Sequence, residues 1–518
     1  MPESTDGRVT LMLVLSTAVA VVGNSLLYGY NIGVLNTPAP IIRQFYQDIY
    51  YDRGGNPLNV STQPVNGTAF KKEGLTTAQL ELLWSVTVSI FVAFGMIGAF
   101  VSGKIADVFG RRGGCMLVSV VMIIASVLGG LTKVAMAPEM LIAHRAVVGI
   151  HNGCSISLAS LYLAEISPKS IRGAIGTCHQ LAITVGILLA QIFGLRELMG
   201  TELLWPVLVG FQGIPCVISL VLFFFCPESP RFLLLKKKDE EGARKALVTL
   251  RGTENVEEDM EEMRTEGKQA MAQPAFSAKM LLTSPELRMP LIIAVLLQVA
   301  QQWSGINAVF YYSEFIFTGA GVAKSAIPYA IVGTGTINVI TTIISVPLME
   351  KAGRRPLLIW PMCVMAISML VLTISLNLQA KVNAMAYVSI ICMHTYVVGF
   401  ALGLGPIPFI VVSELFRQAP RSTAMSVALV FQWMCNFVLA LCFRFLQEAA
   451  GPYTFVVFIV ILVASILFIF FFVPETKNKT FEEIAQSVSM GRARGKSRTV
   501  NLGGSSKDEV ELMDSAKA

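Results

Sequence analysis

Asp107-Val108-Phe109-Gly110-Arg111-Arg112 returns as Glu350-Lys351-Ala352-Gly353-Arg354-Arg355, an acid followed at fixed spacing by Gly-Arg-Arg. Two further echoes keep the same order at nearly the same offset, roughly 245 residues. Glu165 stands seven residues before Arg172 as Glu414 stands seven before Arg421, and Pro227-Glu228-Ser229 is answered by Pro474-Glu475-Thr476. Three ordered matches, each joining hydrophobic stretches, imply a chain built from two like halves.

Composition sets the solvent. Hydrophobic residues make up 54% of the 518 and charged residues only 14%, with a mean hydropathy of +0.64, whereas a soluble domain carries about 25% charge. The chain belongs in a bilayer, and membrane transporters with such internal repeats hold their substrate between the two halves. Apolar runs able to cross about 30 Å of hydrocarbon as helices lie near 11–35, 79–103, 114–132, 138–163, 175–195 and 205–225. Six more lie near 288–312, 325–349, 357–377, 383–412, 422–446 and 453–473. The fold class expected is therefore all-α: twelve transmembrane helices in two pseudo-symmetric six-helix bundles. A transmembrane barrel would need short alternating strands, and these runs do not alternate.

Orientation follows from the positive charges of the short loops. Lys104, Arg111, Arg112, Lys169, Arg172, Lys351, Arg354, Arg355, Arg417 and Arg421 share one side, and the opposite short loops hold little beyond Lys133, Arg196, Lys324 and Lys381. The rich side is expected to be cytoplasmic, with both termini there. Residues 1–10 then form a cytoplasmic N-terminus, 11–226 the N-terminal bundle with an extracellular loop at 36–78, and 286–473 the C-terminal bundle. Residues 474–518 form a cytoplasmic tail, polar and rich in Gly and Ser after Ser487, which reads as disordered. The outer loop carries two N-glycosylation acceptor patterns, at Asn59 and Asn66. A third, at Asn478, falls on the cytoplasmic side and is expected to stay bare. Residues 227–285, rich in Lys, Glu and Arg at helical spacing, read either as a solvated linker or as a cytoplasmic helical domain that braces the halves. The first span is too long for a cleaved signal and is expected to be retained.

Other classes find little support. The nine cysteines lie in or beside spans and the four histidines are scattered, so neither a structural disulfide nor a metal site is expected. The +6 charge follows the membrane topology and is not a nucleic-acid footprint. No nucleophile with a base partner and no phosphate loop stands out, so neither an enzyme nor a cofactor is expected.

Along nearly its whole length the chain resembles the sugar porters of the major facilitator superfamily, and within them the animal facilitative hexose transporters. The resemblance rests on the repeated Gly-Arg-Arg, on Pro227-Glu228-Ser229-Pro230-Arg231 and on Gln301-Gln302-Trp303-Ser304-Gly305-Ile306-Asn307. Gly405-Pro406-Ile407-Pro408 and Pro474-Glu475-Thr476-Lys477 complete it. It implies the major facilitator fold, a plasma-membrane location, the lipid bilayer and a small hexose as partners, and transport by alternating access.

A hexose leaving water needs neutral groups that both donate and accept, and amides do both. Gln180, Gln301, Gln302, Asn307, Asn338 and Asn436 are amides within apolar spans, where an unpaired polar group costs about 1–3 kcal/mol. A neighbouring helix or a sugar could satisfy each; adjacency of Gln301, Gln302 and Asn307 favours a cavity lining, and the resemblance implies sugar contact. It also implies aromatic contacts from Trp433, Phe409, Tyr311 and Tyr312. Gly403, Gly405, Pro406 and Pro408 disrupt the tenth span, which reads as a moving gate.

The repeated charges sit at helix ends on the basic side, where they serve either as orientation signals or as gating ion pairs. The gating set is Asp107, Arg111, Arg112, Glu165, Arg172, Glu228 and Arg231 with Glu350, Arg354, Arg355, Glu414, Arg421 and Glu475. Pairs present in one state only would bias the transport equilibrium. Arg145, a charge within the fourth span, is expected to pair or to line the cavity. In proton-coupled relatives an acid follows Gly-Tyr in the first span; here Gly29-Tyr30 is followed by Asn31, which cannot titrate, and this points to uniport. Ala401, Phe409 and Gln298-Val299-Ala300 depart from the glucose-carrying pattern, Gly399-x-Ala401-Leu402-Gly403 and Tyr28 resemble the fructose-carrying class, and Gln432 matches neither. The substrate expected is fructose first, with glucose or both as the alternative; a proton-coupled symporter or a sugar sensor is less favoured.

Overall fold

The computed structural model describes residues 9–53, 75–168, 171–272, 278–416, 418–477, 479 and 483–484. Asn59 and Asn66 lie outside these, as does Asn478. Among the described residues regular structure is entirely helical. The first six spans are Leu11–Gly33, Thr77–Phe109, Arg111–Leu131, Pro138–Ile166, Arg172–Phe193 and Trp205–Phe223. The seventh to tenth are Pro285–Gly319, Ile327–Lys351, Arg354–Leu378 and Met385–Leu415. The last apolar run, Thr423–Phe472, is two helices, Gln418–Ala450 and Thr454–Phe472, turned at Gly451–Tyr453. The start of the eleventh span follows Glu414, which bonds Arg354, and the end of the twelfth leads to Glu475, which bonds the same arginine's backbone. Both ends therefore meet at one face, and the run folds back on itself.

Several spans are not continuous α-helix. The first carries a π-helical turn at Val21–Leu26. The sixth is split into Trp205–Gly210 and Gly213–Phe223, and the second runs further than its apolar core, through a capping box at Thr76 and Gln79. Between the first two spans an amphipathic helix, Ala39–Arg53, is pinned by Arg53 and Tyr50 to Glu139 at the head of the fourth.

The two Gly-Arg-Arg turns share a carboxylate cap and an Arg–Glu pair, though their glycines differ in backbone, Gly353 lying at φ −74. Gly110 takes φ +84, which glycine tolerates without strain, and the third span begins directly after it. The Glu228 carboxylate accepts the N–H groups of Arg111 and Arg112 at 2.9 Å and of Gly113 at 3.3 Å. A carboxylate here satisfies orphan donors and meets the positive end of the helix dipole. In the other half Glu475 accepts the N–H groups of Arg354 at 2.9 Å and Arg355 at 3.1 Å. The Arg111 side chain forks onto Glu165 at 2.8 and 3.0 Å, and Arg354 reaches Glu414 at 3.2 and 2.9 Å. Ser229 and Thr476 donate to the same two glutamates. Each of these pairs joins residues of a single half.

Between the halves, helices Glu240–Arg251, Glu257–Ala272 and Ala278–Thr283 follow the sixth span. Arg251 ties them to the N-terminal half by donating to the Ile166 carbonyl at 2.8 Å, while its Nε reaches Asp259 at 2.9 Å. Glu261, Glu240 and Glu257 all bond Arg264 and hold its pKa above the ordinary arginine value.

Removing either capping carboxylate, as Glu228→Ala or Glu475→Ala, is expected to destabilise the fold by about 1–2 kcal/mol. Thermal unfolding in detergent reads this as a lowered midpoint; unchanged midpoints in both variants would contradict the capping role.

Candidate functional site

Two helix breaks face each other in the C-terminal half. The seventh span stops at Trp303 and restarts at Ile306, because Gly305 adopts φ +101 and the chain turns there. Gln301 and Gln302 thus occupy the last turn before the break, and Asn307 the first turn after it. The tenth span ends at Leu402 and resumes at Ile407, with Gly403 far from helical geometry at φ −114, ψ −89. Carbonyls freed at mid-membrane need donors from elsewhere, and Gln301 supplies them. Its Nε2 donates to Leu404 O at 2.7 Å and Gly405 O at 2.9 Å.

The same side chain gathers the other amides. Gln301 Oε1 accepts from Gln302 Nε2 at 3.2 Å and from Gln432 Nε2 at 2.9 Å, and Gln302 Oε1 accepts from Asn307 Nδ2 at 2.5 Å. One chain of amides therefore links the seventh, tenth and eleventh spans. Beside Gln432, the Trp433 ring presses on Gly95 of the second span in the opposite half, so closely that a Cβ there would meet the ring at 2.5 Å. Asn436, one turn further, is buried and its carboxamide oxygen has no partner among the described residues. Ala401 is buried and Phe409 half-buried on the two pieces of the tenth span.

The remaining candidates stand on other spans, outside this amide chain. Gln180 is exposed on the fifth, Asn338 buried on the eighth, and Tyr28 half-buried on the first. Asn31 is buried and donates to Leu27 O at 2.7 Å and Gln212 Oε1 at 2.6 Å. Arg145 donates to the Asn31 carbonyl at 3.0 Å and stacks over Phe91, 4.2 Å from the ring centroid. Gln212 is the residue that sequence reasoning missed here; its sole signal was another amide in an apolar run. Of the charged set not yet placed, Asp107 lies 4.0 Å from Arg111 and 3.3 Å from Lys236. Arg231 lines a small cavity with Glu165, Ser167 and Arg251, and Arg421 donates to Phe416 O at 3.2 Å. Arg112 donates to Cys226 O at 2.8 Å and Arg355 to Phe470 O. The side chains of Arg172 and Glu350 are outside the description.

The face opposite the Gly-Arg-Arg turns is bridged between halves. The seventh span kinks at Tyr312, φ −131, and this parts the Phe310 carbonyl from the Glu314 N–H. Asn36 fills the gap from the other half, donating to Phe310 O at 2.9 Å and accepting from Glu314 N at 3.0 Å. Glu197 accepts from Tyr329 at 2.9 Å, and Glu81 pairs with Arg444. These contacts, up to 363 residues apart in sequence, carry no local sequence signal.

Two helical bundles, the second with facing helix breaks joined by amides and a tryptophan pressed on the first, have the build of a membrane carrier of the major facilitator kind. The chain belongs to the sugar transporter family, whose profile, described as "Sugar (and other) transporter", matches residues 16–487. It is 42% identical over 481 residues to the human "Solute carrier family 2, facilitated glucose transporter member 5", covering 93% of each chain. It is 40% identical over 492 residues to the chicken "facilitated glucose transporter member 1", covering 95% of this chain and 96% of that one. Among solved structures, the partially occluded inward-open conformation of the xylose transporter from E. coli matches with a TM-score of 0.73 at 23% identity. That match covers 91% of this chain and 100% of that one, and it shows the shared fold.

Gln301→Leu leaves the Leu404 and Gly405 carbonyls without their donor and is expected to lower stability by about 1–3 kcal/mol. Hydrogen exchange at residues 400–408 reads the effect directly; wild-type protection in the variant would contradict it.

Proposed function

We propose that the protein is a facilitative hexose carrier, a uniporter that equilibrates sugar by alternating access, with fructose favoured. The observation that carries this reading is the amide chain at two facing helix breaks, beside a tryptophan that spans the seam. Amides at a break are bonded to backbone and to each other, and a ring of hydroxyls can exchange for those bonds without any charge entering the membrane. Gln180, Gln301, Gln302, Asn307, Asn338, Asn436 and Gln432 serve as donors and acceptors, with Trp433 and Phe409 packing against the sugar's C–H face. Tyr28, Asn31 and Ala401 shape the pocket. Asn31, bonded to Gln212 rather than replaced by a carboxylate, gives the first span no group that changes charge, and this favours uniport.

The basic face is cytoplasmic, the membrane is the plasma membrane, and the linker helices lie inside the cell. With the opposite face bridged between halves, this conformation is the inward-facing member of the cycle. The carboxylate pairs that here stay within each half re-pair across the seam when the inner side shuts. A glucose or mixed glucose and fructose carrier is the second reading, favoured by relatives that are named facilitated glucose transporters.

Purified protein in liposomes tests both. Labelled fructose uptake should be competed more strongly by fructose than by glucose and be indifferent to a collapsed proton gradient. Sugar uptake that moves protons, or the absence of any hexose flux, would overturn the proposal.

A further inference from the structure

One carboxylate on the far face is shared by two guanidiniums from different halves. Glu81 lies in the second turn of the second span, Arg43 on the helix Ala39–Arg53, and Arg444 near the end of the eleventh span. Arg444 Nε and Nη2 approach Glu81 Oε2 at 2.7 and 2.6 Å, and Arg43 bonds Glu81 Oε1. The Glu81 and Arg444 side chains are 4% and 6% exposed. Charges this deeply buried persist only when paired, so the Glu81–Arg444 contact holds the second span of one half against the eleventh of the other.

The surroundings supply each ion with something to keep if the contact breaks. Arg43 belongs to the same half as Glu81 and would stay with it. Arg444 sits 3.2 Å from the centroid of Phe315, in its own half, and Glu314 of that half lines the same small cavity with Asn36, Arg43 and Arg444. A ring face stabilises a cation left without its carboxylate. Separation therefore strands neither charge, which is what a reversible contact requires. Arg43 and Arg444 also repel while they share one carboxylate, and that repulsion is relieved on opening.

We propose that Glu81 and Arg444 form a latch that must part before the far side can open, and that Arg43 and Phe315 are its release partners. The latch deepens the alternating-access reading above and rests on it. The three charged residues therefore set the balance between inward- and outward-facing states without touching sugar. Arg43 acts opposite in sign to Arg444.

The test uses full-length protein in liposomes of one orientation, reading the half-saturation concentrations for fructose influx and efflux. Arg444→Met and Glu81→Gln favour the outward-facing state, so the influx value falls relative to the efflux value on the order of tenfold. The double variant shifts the ratio no further than a single one, since both remove the same contact between the halves. Arg43→Met moves the ratio the other way. Should Arg444→Met not fold, Arg444→Lys gives a smaller shift in the same direction. Ratios at the wild-type value, additive single shifts, or an Arg43→Met shift in the Arg444→Met direction would overturn the latch. If the wild type carries no hexose, the carrier reading fails by itself. Spin-label distances between Ala78 and Ala449 then decide the latch, which predicts a longer distance in Arg444→Met and is refuted by an unchanged one.

Discussion

A backbone carbonyl in hydrocarbon has no water to accept from, and the protein is organised around that constraint. Most spans satisfy it with unbroken helix. Where the tenth span breaks at Gly403, Gln301 caps the carbonyls of Leu404 and Gly405 and presents its oxygen to Gln302 and Gln432, and where the seventh breaks at Gly305 the Ser304 carbonyl accepts from the Tyr396 hydroxyl. Asn36 does the same work on the far face, standing in for the helical bond lost at the Tyr312 kink. Amide side chains thus let helices bend in mid-membrane, and the polarity that repairs the backbone is the polarity a sugar requires.

Duplication explains the rest of the frame. Each half ends its second and eighth spans in a turn whose following helix is capped by the carboxylate of a distant Pro-Glu, with the arginine beside it forked onto a second glutamate. The two copies share their partners, from Glu228 and Glu475 to Glu165 and Glu414, although the turns themselves differ, with Gly110 at φ +84 and Gly353 at φ −74. Each half is thereby internally braced, able to move as one body. The opposing face has no such repeat: Asn36, Glu81 and Glu197 reach across to Phe310, Arg444 and Tyr329. Braced halves bridged by polar side chains at one face are suited to a rocking motion.

Much of this frame was legible in the chain itself. Repeated Gly-Arg-Arg and the apolar runs define twelve spans in two halves because hydrophobic length and turn chemistry are local properties. Unlike the lone Gly305 of the seventh span, the cluster Gly403–Pro406 in the tenth was legible as a break for the same reason. What Gln301 does there was not, since its carbonyl partners lie 103 and 104 residues away. Glu228 read as an ion-pair partner, yet its bonds go to backbone N–H groups, because the helix start it caps is brought to it only by folding. The π-turn at Val21–Leu26 also escaped, as its sequence is no different from the apolar helix around it, and the Ala39–Arg53 helix was absorbed into the 36–78 loop, although Ala39, Ile42, Tyr46 and Ile49 recur at helical spacing. Glu81 and Arg444 are single charges in separate apolar stretches, and nothing in either stretch names the other.

The central claim is that two braced halves rock about the amide seam. Electron-spin distance measurements in lipid test it most directly, with one label pair across each face: Arg196 with Lys324 on the far side, and Lys104 with Lys351 on the basic side. Two populations are expected in each pair, exchanging in opposite senses as hexose is added, one distance shortening as the other lengthens. A single fixed distance across both faces, indifferent to sugar, would contradict it.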